Sequence, residues 1–161
     1  MQKVNIIGGG LAGSEAAFFL ANHGFKVRLY EMRPAVETGA HHTGKLGELV
    51  CSNSLKSKEL TNACGLLKAE MTVWDSLLIK VASESELPGG NALCVDREAF
   101  SDEVTTLLST HPNIEIIYEE VTTLPSDAPL IIASGPLTSA NLTKVLASKI
   151  GENFLSFFDA S

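Results

Sequence analysis

Three groups of residues in this chain have types and spacings suited to chemistry. The first is Gly8-Gly9-Gly10-Leu11-Ala12-Gly13, a G-x-G-x-x-G turn. Its first glycine permits a tight turn, its second lets backbone approach a pyrophosphate, and its third lets a helix pack closely on a strand. The second is Glu31, about 20 residues on, where a carboxylate can accept hydrogen bonds from a ribose diol. The third is Cys51, in the run Cys51-Ser52-Asn53-Ser54 with Lys45, Lys56 and Lys58 close in sequence. Such a setting suits a reactive thiolate, though a small buried cysteine fits the same residues, and both readings stay open here. His41 and His42 bring no metal site, because their spacing to Cys51 matches no zinc pattern and a fourth ligand is missing. They are read as loop histidines lining the site.

The elements that must position these groups follow from the apolar pattern. Val4, Ile6 and Ile7 make a buried parallel strand, and a helix with Ala12, Ala16, Phe19 and Leu20 on one face follows the glycine turn and stops at Gly24. Val27 to Tyr30 is the next strand and ends at Glu31. Strand, glycine turn, helix, strand and terminal acid together define a dinucleotide-binding βαβ unit, and the acid favours FAD or NAD over NADP. The turn Gly8, Gly9, Gly10, Leu11, Ala12 and Gly13 is therefore the expected cofactor-binding segment.

Residues 34–58 lack periodicity, yet Leu46, Leu49, Val50 and Leu55 are interleaved with polar residues, so a functional loop with a short turn near Leu46 to Val50 is expected on the cofactor side. A helical stripe of Leu60, Ala63, Leu67, Met71, Trp74, Leu78 and Val81 follows, broken near Thr72 to Asp75 and expected to face inward, with Cys64 a core residue. Ala92 to Val95 reads as a short strand holding a structural Cys94, and Asp96 caps a helix with Phe100, Val104, Leu107 and Leu108 on its face. Ile114 to Val121 and Leu130 to Ser134 are strands, the latter ending at Gly135, where backbone is open to a cofactor or simply turns. Thr138 or Ser139 caps the last helix. A final apolar run, NFLSFFDAS, reads as a strand with no closing helix, as expected of a fragment.

Composition narrows the classes. Among 161 residues, 12 Lys and Arg face 19 Asp and Glu, a net charge of −7, which argues against a general polyanion binder. No apolar run is long enough to cross a bilayer, and the chain enters a strand at once, so neither a membrane span nor a signal peptide is expected. Three cysteines at irregular spacing give no disulfide framework and point to a reducing cytoplasm.

With these residues assembled, the chain resembles the folate- and FAD-dependent tRNA (uracil-5-)-methyltransferase family, over essentially its whole length. The resemblance rests on GGGLAGSEAA at Gly8 to Ala17, LYEMRP at Leu29 to Pro34 and ELVCSNSLKS at Glu48 to Ser57. It continues in LTNACGLLKAEM at Leu60 to Met71, ALCVDREAFS at Ala92 to Ser101 and GPLTS at Gly135 to Ser139. It implies an α/β fold, the Rossmann-type FAD-binding domain of glutathione-reductase-like proteins with a mostly parallel sheet, incomplete at its C-terminus. Residues 1–161 would be the N-terminal part of that domain, with a catalytic loop at about 34–58.

It further implies that Gly8, Gly10, Gly13 and Glu31 hold pyrophosphate and ribose, that Val121 meets the adenine through its backbone, and that Gly135 lies near the cofactor. The implied reaction moves a one-carbon unit from 5,10-methylenetetrahydrofolate to C5 of a T-loop uridine in tRNA, with NAD(P)H as the source of electrons. Cys51 matches one of the family's two cysteines, and the other would lie beyond residue 161. The same chemistry on a ribosomal RNA uridine fits these residues equally, with RNA contacts mainly outside this chain. Gly9 stands where the family usually has alanine, a change expected only to loosen the turn. The sister flavoprotein acting on the tRNA wobble uridine shares the first βαβ unit but has an SCNPAIGG-type loop in place of LVCSNSLKS. A dinucleotide-binding module without catalysis is the alternative of another class.

Overall fold

The computed structural model describes residues 2–150. The elements run β1 (Lys3–Ile7), α1 (Leu11–Asn22), β2 (Lys26–Glu31), β3 (Ser54–Ser57), α2 (Ala63–Val73), α3 (Leu77–Glu84), β4 (Glu86–Leu87), β5 (Ala92–Val95), α4 (Arg97–Ser109), β6 (Ile114–Tyr118), β7 (Leu130–Ile132) and α5 (Ala140–Ile150). A four-stranded sheet of order β6-β2-β1-β7 is parallel throughout. A second, three-stranded sheet of order β3-β5-β4 is antiparallel. The expected parallel core is thus present, while Ala92 to Val95 belongs to the smaller sheet. The NFLSFFDAS run lies outside the described residues.

The alternation of side chains along β1 and β2 splits the core in two. Val4, Ile6, Val27 and Leu29 face a cluster completed by Ala17 and Ala21 of α1, Leu77 and Val81 of α3, and Phe100, Val104 and Leu108 of α4. Ile7 and Tyr30 point the other way, onto Leu142 and Leu146 of α5 and Val121. Helices on both faces explain why β1 reads as a nearly unbroken apolar run. Each fully buried side chain of the Phe100, Val104 and Leu108 kind contributes about 1.5–3 kcal/mol relative to exposure. Asn5 and Arg28 also face the α5 side, where both reach Asp127.

Two helical faces differ from expectation. Helix α1 buries Gly13, Ser14, Ala17 and Ala21, leaving Phe19 exposed. Its start lies so close to β1 that only small residues fit: a Cβ on Gly13 would come within 1.8 Å of the Gly8 carbonyl oxygen. Because this helix is apolar almost all round, periodicity could not single out the face that steric approach selects.

The stripe from Leu60 to Trp74 does not pack inward. Leu67 is 56% and Trp74 70% exposed, and Gly65 is the one buried residue of α2. The break expected near Thr72 to Asp75 is real and separates two different environments. Helix α3 is wedged between α1 and α4 and buries Leu77, Leu78, Val81 and Ala82, whereas α2 leans on β3 and α3, away from the main sheet. Cys64, in the first turn of α2, is accordingly half-buried and not a core residue.

Candidate cofactor-binding site

The glycine turn sits at the C-terminal ends of β1, β2 and β7. Gly8 has φ +102°, donates to the Tyr30 carbonyl at 2.8 Å, and lies so near Ala133 that a Cβ would come within 2.6 Å of its oxygen. Gly9 is buried. Its carbonyl accepts from Gly47 N–H at 2.9 Å and Ser14 Oγ at 3.1 Å, which ties the turn to the loop after β2. A Cβ on Gly9 would fall 2.4 Å from Leu46 Cδ2 and 2.9 Å from Glu31 Oε2, so glycine here is a packing choice and not merely a looser turn.

Gly10 is different, for nothing lies within 4 Å of the Cβ it lacks. It is the N-cap of α1, and no side chain caps that helix. By contrast Asn62, Ser76 and Asp96 cap α2, α3 and α4 with their own side chains. The first intrahelical bond is that of Ser14 N–H to the Gly10 carbonyl, so the N–H groups of Leu11, Ala12 and Gly13 are left over by helix geometry. With no acidic residue in the first turn, the positive end of the helix faces an opening suited to an anion.

Glu31 ends β2 beside this turn and is 5% exposed. Its Oε2 accepts from Gly9 N–H at 2.9 Å and Arg33 Nη2 at 3.2 Å, and its Oε1 accepts from Arg33 N–H at 3.0 Å and Arg33 Nε at 2.9 Å. Burial alone would raise its pKa, but the hydrogen bonds and charge of Arg33, with the Gly9 N–H, hold it below the ordinary value. The carboxylate is charged and engaged by the protein on both oxygens.

Arg33 is 3% exposed and spends its other amino group on the loop, donating from Nη1 to Glu48 Oε2 at 2.9 Å and the Thr43 carbonyl at 3.2 Å. Glu48 also accepts from His42 N–H at 2.8 Å, Thr43 N–H at 3.2 Å and Thr43 Oγ1 at 2.8 Å. Despite partial burial, which opposes it, these contacts and Arg33 keep Glu48 below its ordinary pKa. His41, bonded through Nδ1 to Thr38 Oγ1 at 2.7 Å, is held neutral to lower pH than usual by burial and by the nearby Arg33 charge. Leu46 and Leu49 anchor the loop in the core, as the interleaved apolar residues predict.

The cleft so formed is about 290 Å³ and is lined by Gly8, Gly10, Leu11, Ala12, Glu31, Arg33, His41, Glu48 and Val50 on one side, and by Val121, Ser134, Gly135, Thr138 and Ser139 on the other. Gly9 and Gly13 lie beneath it. Strand β6 ends at Tyr118, short of the expected Val121, whose side chain is buried under α5 while no backbone bond to its own N–H or carbonyl occurs among the described residues. Gly135 adopts φ +66°, Ser134 and Thr138 share a 2.7 Å hydroxyl contact, and Ser139 Oγ caps α5 by accepting from Leu142 N–H at 3.2 Å. A larger hollow of about 620 Å³ adjoins α1 between Phe19, Met71 and Trp74, but its walls are nearly all apolar.

Cys51 is exposed and follows Val50, which lines the cleft, though Cys51 itself is not among the lining residues. Two of the lysines near it in sequence are directed elsewhere: Lys45 lies 2.7 Å from Asp102, and Lys58 pairs with Glu86. Sequence reasoning missed Arg33 and Glu48. An arginine two residues past the acid at a strand end was the available signal for the first, and none marked the second. It also missed Glu15, whose carboxylate accepts from Ser76 Oγ at 2.8 Å and from Leu77 and Leu78 N–H, both at 3.0 Å.

A parallel sheet covered by helices on both faces, with a glycine turn leading from β1 into an uncapped helix, defines the Rossmann class of α/β folds. Within that class, the chain belongs to the family described as glucose inhibited division protein A, whose model matches residues 3–161. It is 55% identical over 160 residues to the methylenetetrahydrofolate--tRNA-(uracil-5-)-methyltransferase TrmFO of Natranaerobius thermophilus, and equally to that of Bacillus licheniformis. Each match covers 99% of this chain but 37% of the relative, so the chain spans little more than a third of their length. Among solved structures, the GidA-related protein from Thermus thermophilus superposes at TM-score 0.45 with 17% identity, covering 84% of this chain and 53% of that one. Among the described residues, no helix is long and apolar enough to cross a membrane, and no cluster of side chains could hold a metal ion.

Proposed function

We propose that residues 1–161 form the N-terminal part of a FAD-binding domain that serves a folate-dependent RNA (uracil-5-)-methyltransferase. The observation that carries this reading is the uncapped start of α1, where Gly10 faces open space above unpaired N–H groups of Leu11, Ala12 and Gly13. Those groups would hold the pyrophosphate, Glu31 the ribose, the free backbone of Val121 the adenine, and Gly8 and Gly135 would let the cofactor lie against main chain. FAD, when bound, would supply the redox chemistry, the two electrons drawn from NAD(P)H by which a methylene becomes a methyl. The carbon comes from 5,10-methylenetetrahydrofolate and goes to C5 of a T-loop uridine in tRNA; the names of the relatives support methylenetetrahydrofolate as donor and C5 of a tRNA uracil as acceptor.

Within this proposal Cys51, on the catalytic loop at 34–58, gives or takes a proton at the uracil or the transferred carbon. The thiol that attacks the base is a second cysteine outside this chain. The chain's own contribution is otherwise to bind and orient: the loop walls the cleft with His41, Glu48 and Val50, and Leu46 and Leu49 fix it to the core.

The test of the cofactor site is Gly10→Val. Its side chain would project where the pyrophosphate lies, so the purified variant is expected to fold and to lose its yellow colour. Retention of FAD by that variant moves the site elsewhere. The test of the thiol is trapping on RNA containing 5-fluorouridine, with the attached cysteine mapped by mass spectrometry. Attachment at Cys51 would make it the nucleophile.

A further inference from the structure

We infer that Arg33 is a positioning residue that couples the seating of the loop carrying Cys51 to occupation of Glu31 by a ribose. The inference rests on the cofactor reading above and goes beyond it in linking two parts of the site. A carboxylate offers about four lone-pair positions. Those of Glu31 are filled by four donors, Gly9 N–H and three groups of Arg33. A ribose hydroxyl therefore finds an acceptor only by displacing or sharing one of them. The Gly9 and Arg33 N–H groups are fixed in backbone, which leaves the guanidinium as the partner able to yield.

The guanidinium cannot yield alone. Its Nη1 holds Glu48 Oε2 and the Thr43 carbonyl, and Glu48 gathers His42 N–H, Thr43 N–H and Thr43 Oγ1. A planar fork moves as one body, so re-aiming Nε and Nη2 away from Glu31 re-aims Nη1 as well. The segment from Thr43 to Glu48 is thereby drawn along, three residues before Cys51. That segment is also bonded to the glycine turn through Gly47 N–H and the Gly9 carbonyl, while Leu46 N–H donates to Thr105 Oγ1 of α4 at 2.9 Å and pins its middle, so the parts free to follow the guanidinium are its two ends at Thr43 and Glu48. Lysine has no second arm with which to span Glu31 and Glu48.

The experiment uses the intact protein, freed of flavin and then saturated with FAD, and reads the alkylation rate of Cys51 by peptide mass spectrometry, with Cys64 and Cys94 as internal references. In the unaltered protein the Cys51 rate should change when FAD is added. In Arg33→Met and Arg33→Lys that change should be lost at saturating FAD, and Glu48→Ala, which removes the acceptor of Nη1 but leaves the Glu31–Arg33 pair in place, should lose it too. If Arg33→Met does not fold, Glu48→Ala decides. A merely structural role predicts lower melting temperatures with the FAD-dependent change intact, and that result overturns the coupling. So does a Cys51 rate indifferent to bound FAD in the unaltered protein. Failure of the unaltered protein to bind FAD at all is read separately, from flavin fluorescence, and overturns the cofactor reading with the coupling.

Discussion

Two glycines of one turn separate folding from binding. Gly13 abuts backbone: a Cβ would sit 1.8 Å from the Gly8 carbonyl oxygen, and relief requires moving α1 off β1. Gly10 abuts nothing, and its φ of −72° suits any residue. Gly13→Ala should therefore cost about 3 kcal/mol or more of stability, the upper range for overpacking, measured by urea unfolding. Gly10→Ala should cost no more than about 1 kcal/mol, the scale of the N-cap preference for glycine over alanine, while weakening FAD binding by titration. Equal destabilisation by the two would contradict the separation. Cys51 is the third informative residue, being exposed next to the cleft-lining Val50. Cys51→Ala should leave stability within about 0.5 kcal/mol and keep bound flavin, while methyl transfer in the intact enzyme falls by orders of magnitude. Full activity of this variant removes Cys51 from the mechanism.

At the scale of elements, the helices show what a single sequence reveals and what it hides. Two capped starts were legible, Asp96 outright and Ser139 as one of a pair with Thr138, because they are residue types that bond backbone N–H groups and stand just before helical patterns. The Asn62 and Ser76 caps were not singled out. The strands β1 and β2 were legible because burial on both faces demands apolar runs; β7 carries the same pattern, but it is the edge strand among the described residues and leaves Ile131 37% and Ile132 43% exposed. The direction of α2 was not. Its stripe has the period of a buried helix, but Leu60, Leu67 and Trp74 remain exposed, since periodicity reports a face and not what lies opposite it. Helix α3 shows the opposite case. Its burial depends on Glu15 of α1, whose carboxylate takes Ser76 Oγ and two first-turn N–H groups, a contact between residues far apart in sequence. Glu15→Ala leaves those donors without a partner in a part-buried site and should cost about 1–3 kcal/mol in urea unfolding. A loss below about 0.5 kcal/mol would mean that Ser76 caps α3 unaided.

For the molecule as a whole, the site is built by joining a strand end, a turn and a loop through buried charge, which no motif encodes. The glycine turn and Glu31 could be read from sequence because cofactor geometry fixes their spacing, whereas Arg33 and Glu48 meet only after the loop has folded back. This network makes stability depend on pH. Glu31 and Glu48 both have folded pKa values below the ordinary 4.5. A depressed carboxylate contributes stability that is complete above its unfolded value and is lost as pH falls through the folded one. The chain's charge of −7 works against this signal, because mild acid also relieves repulsion among its acidic residues. Comparing the parent with Glu48→Gln removes most of that background, since the two differ by one charge. The parent should melt higher by a margin that is constant from neutral pH down to about pH 5 and then shrinks toward about pH 3. A margin that stays constant or widens in that acid range would show that Glu48 stabilises the loop by shape and not by its charge.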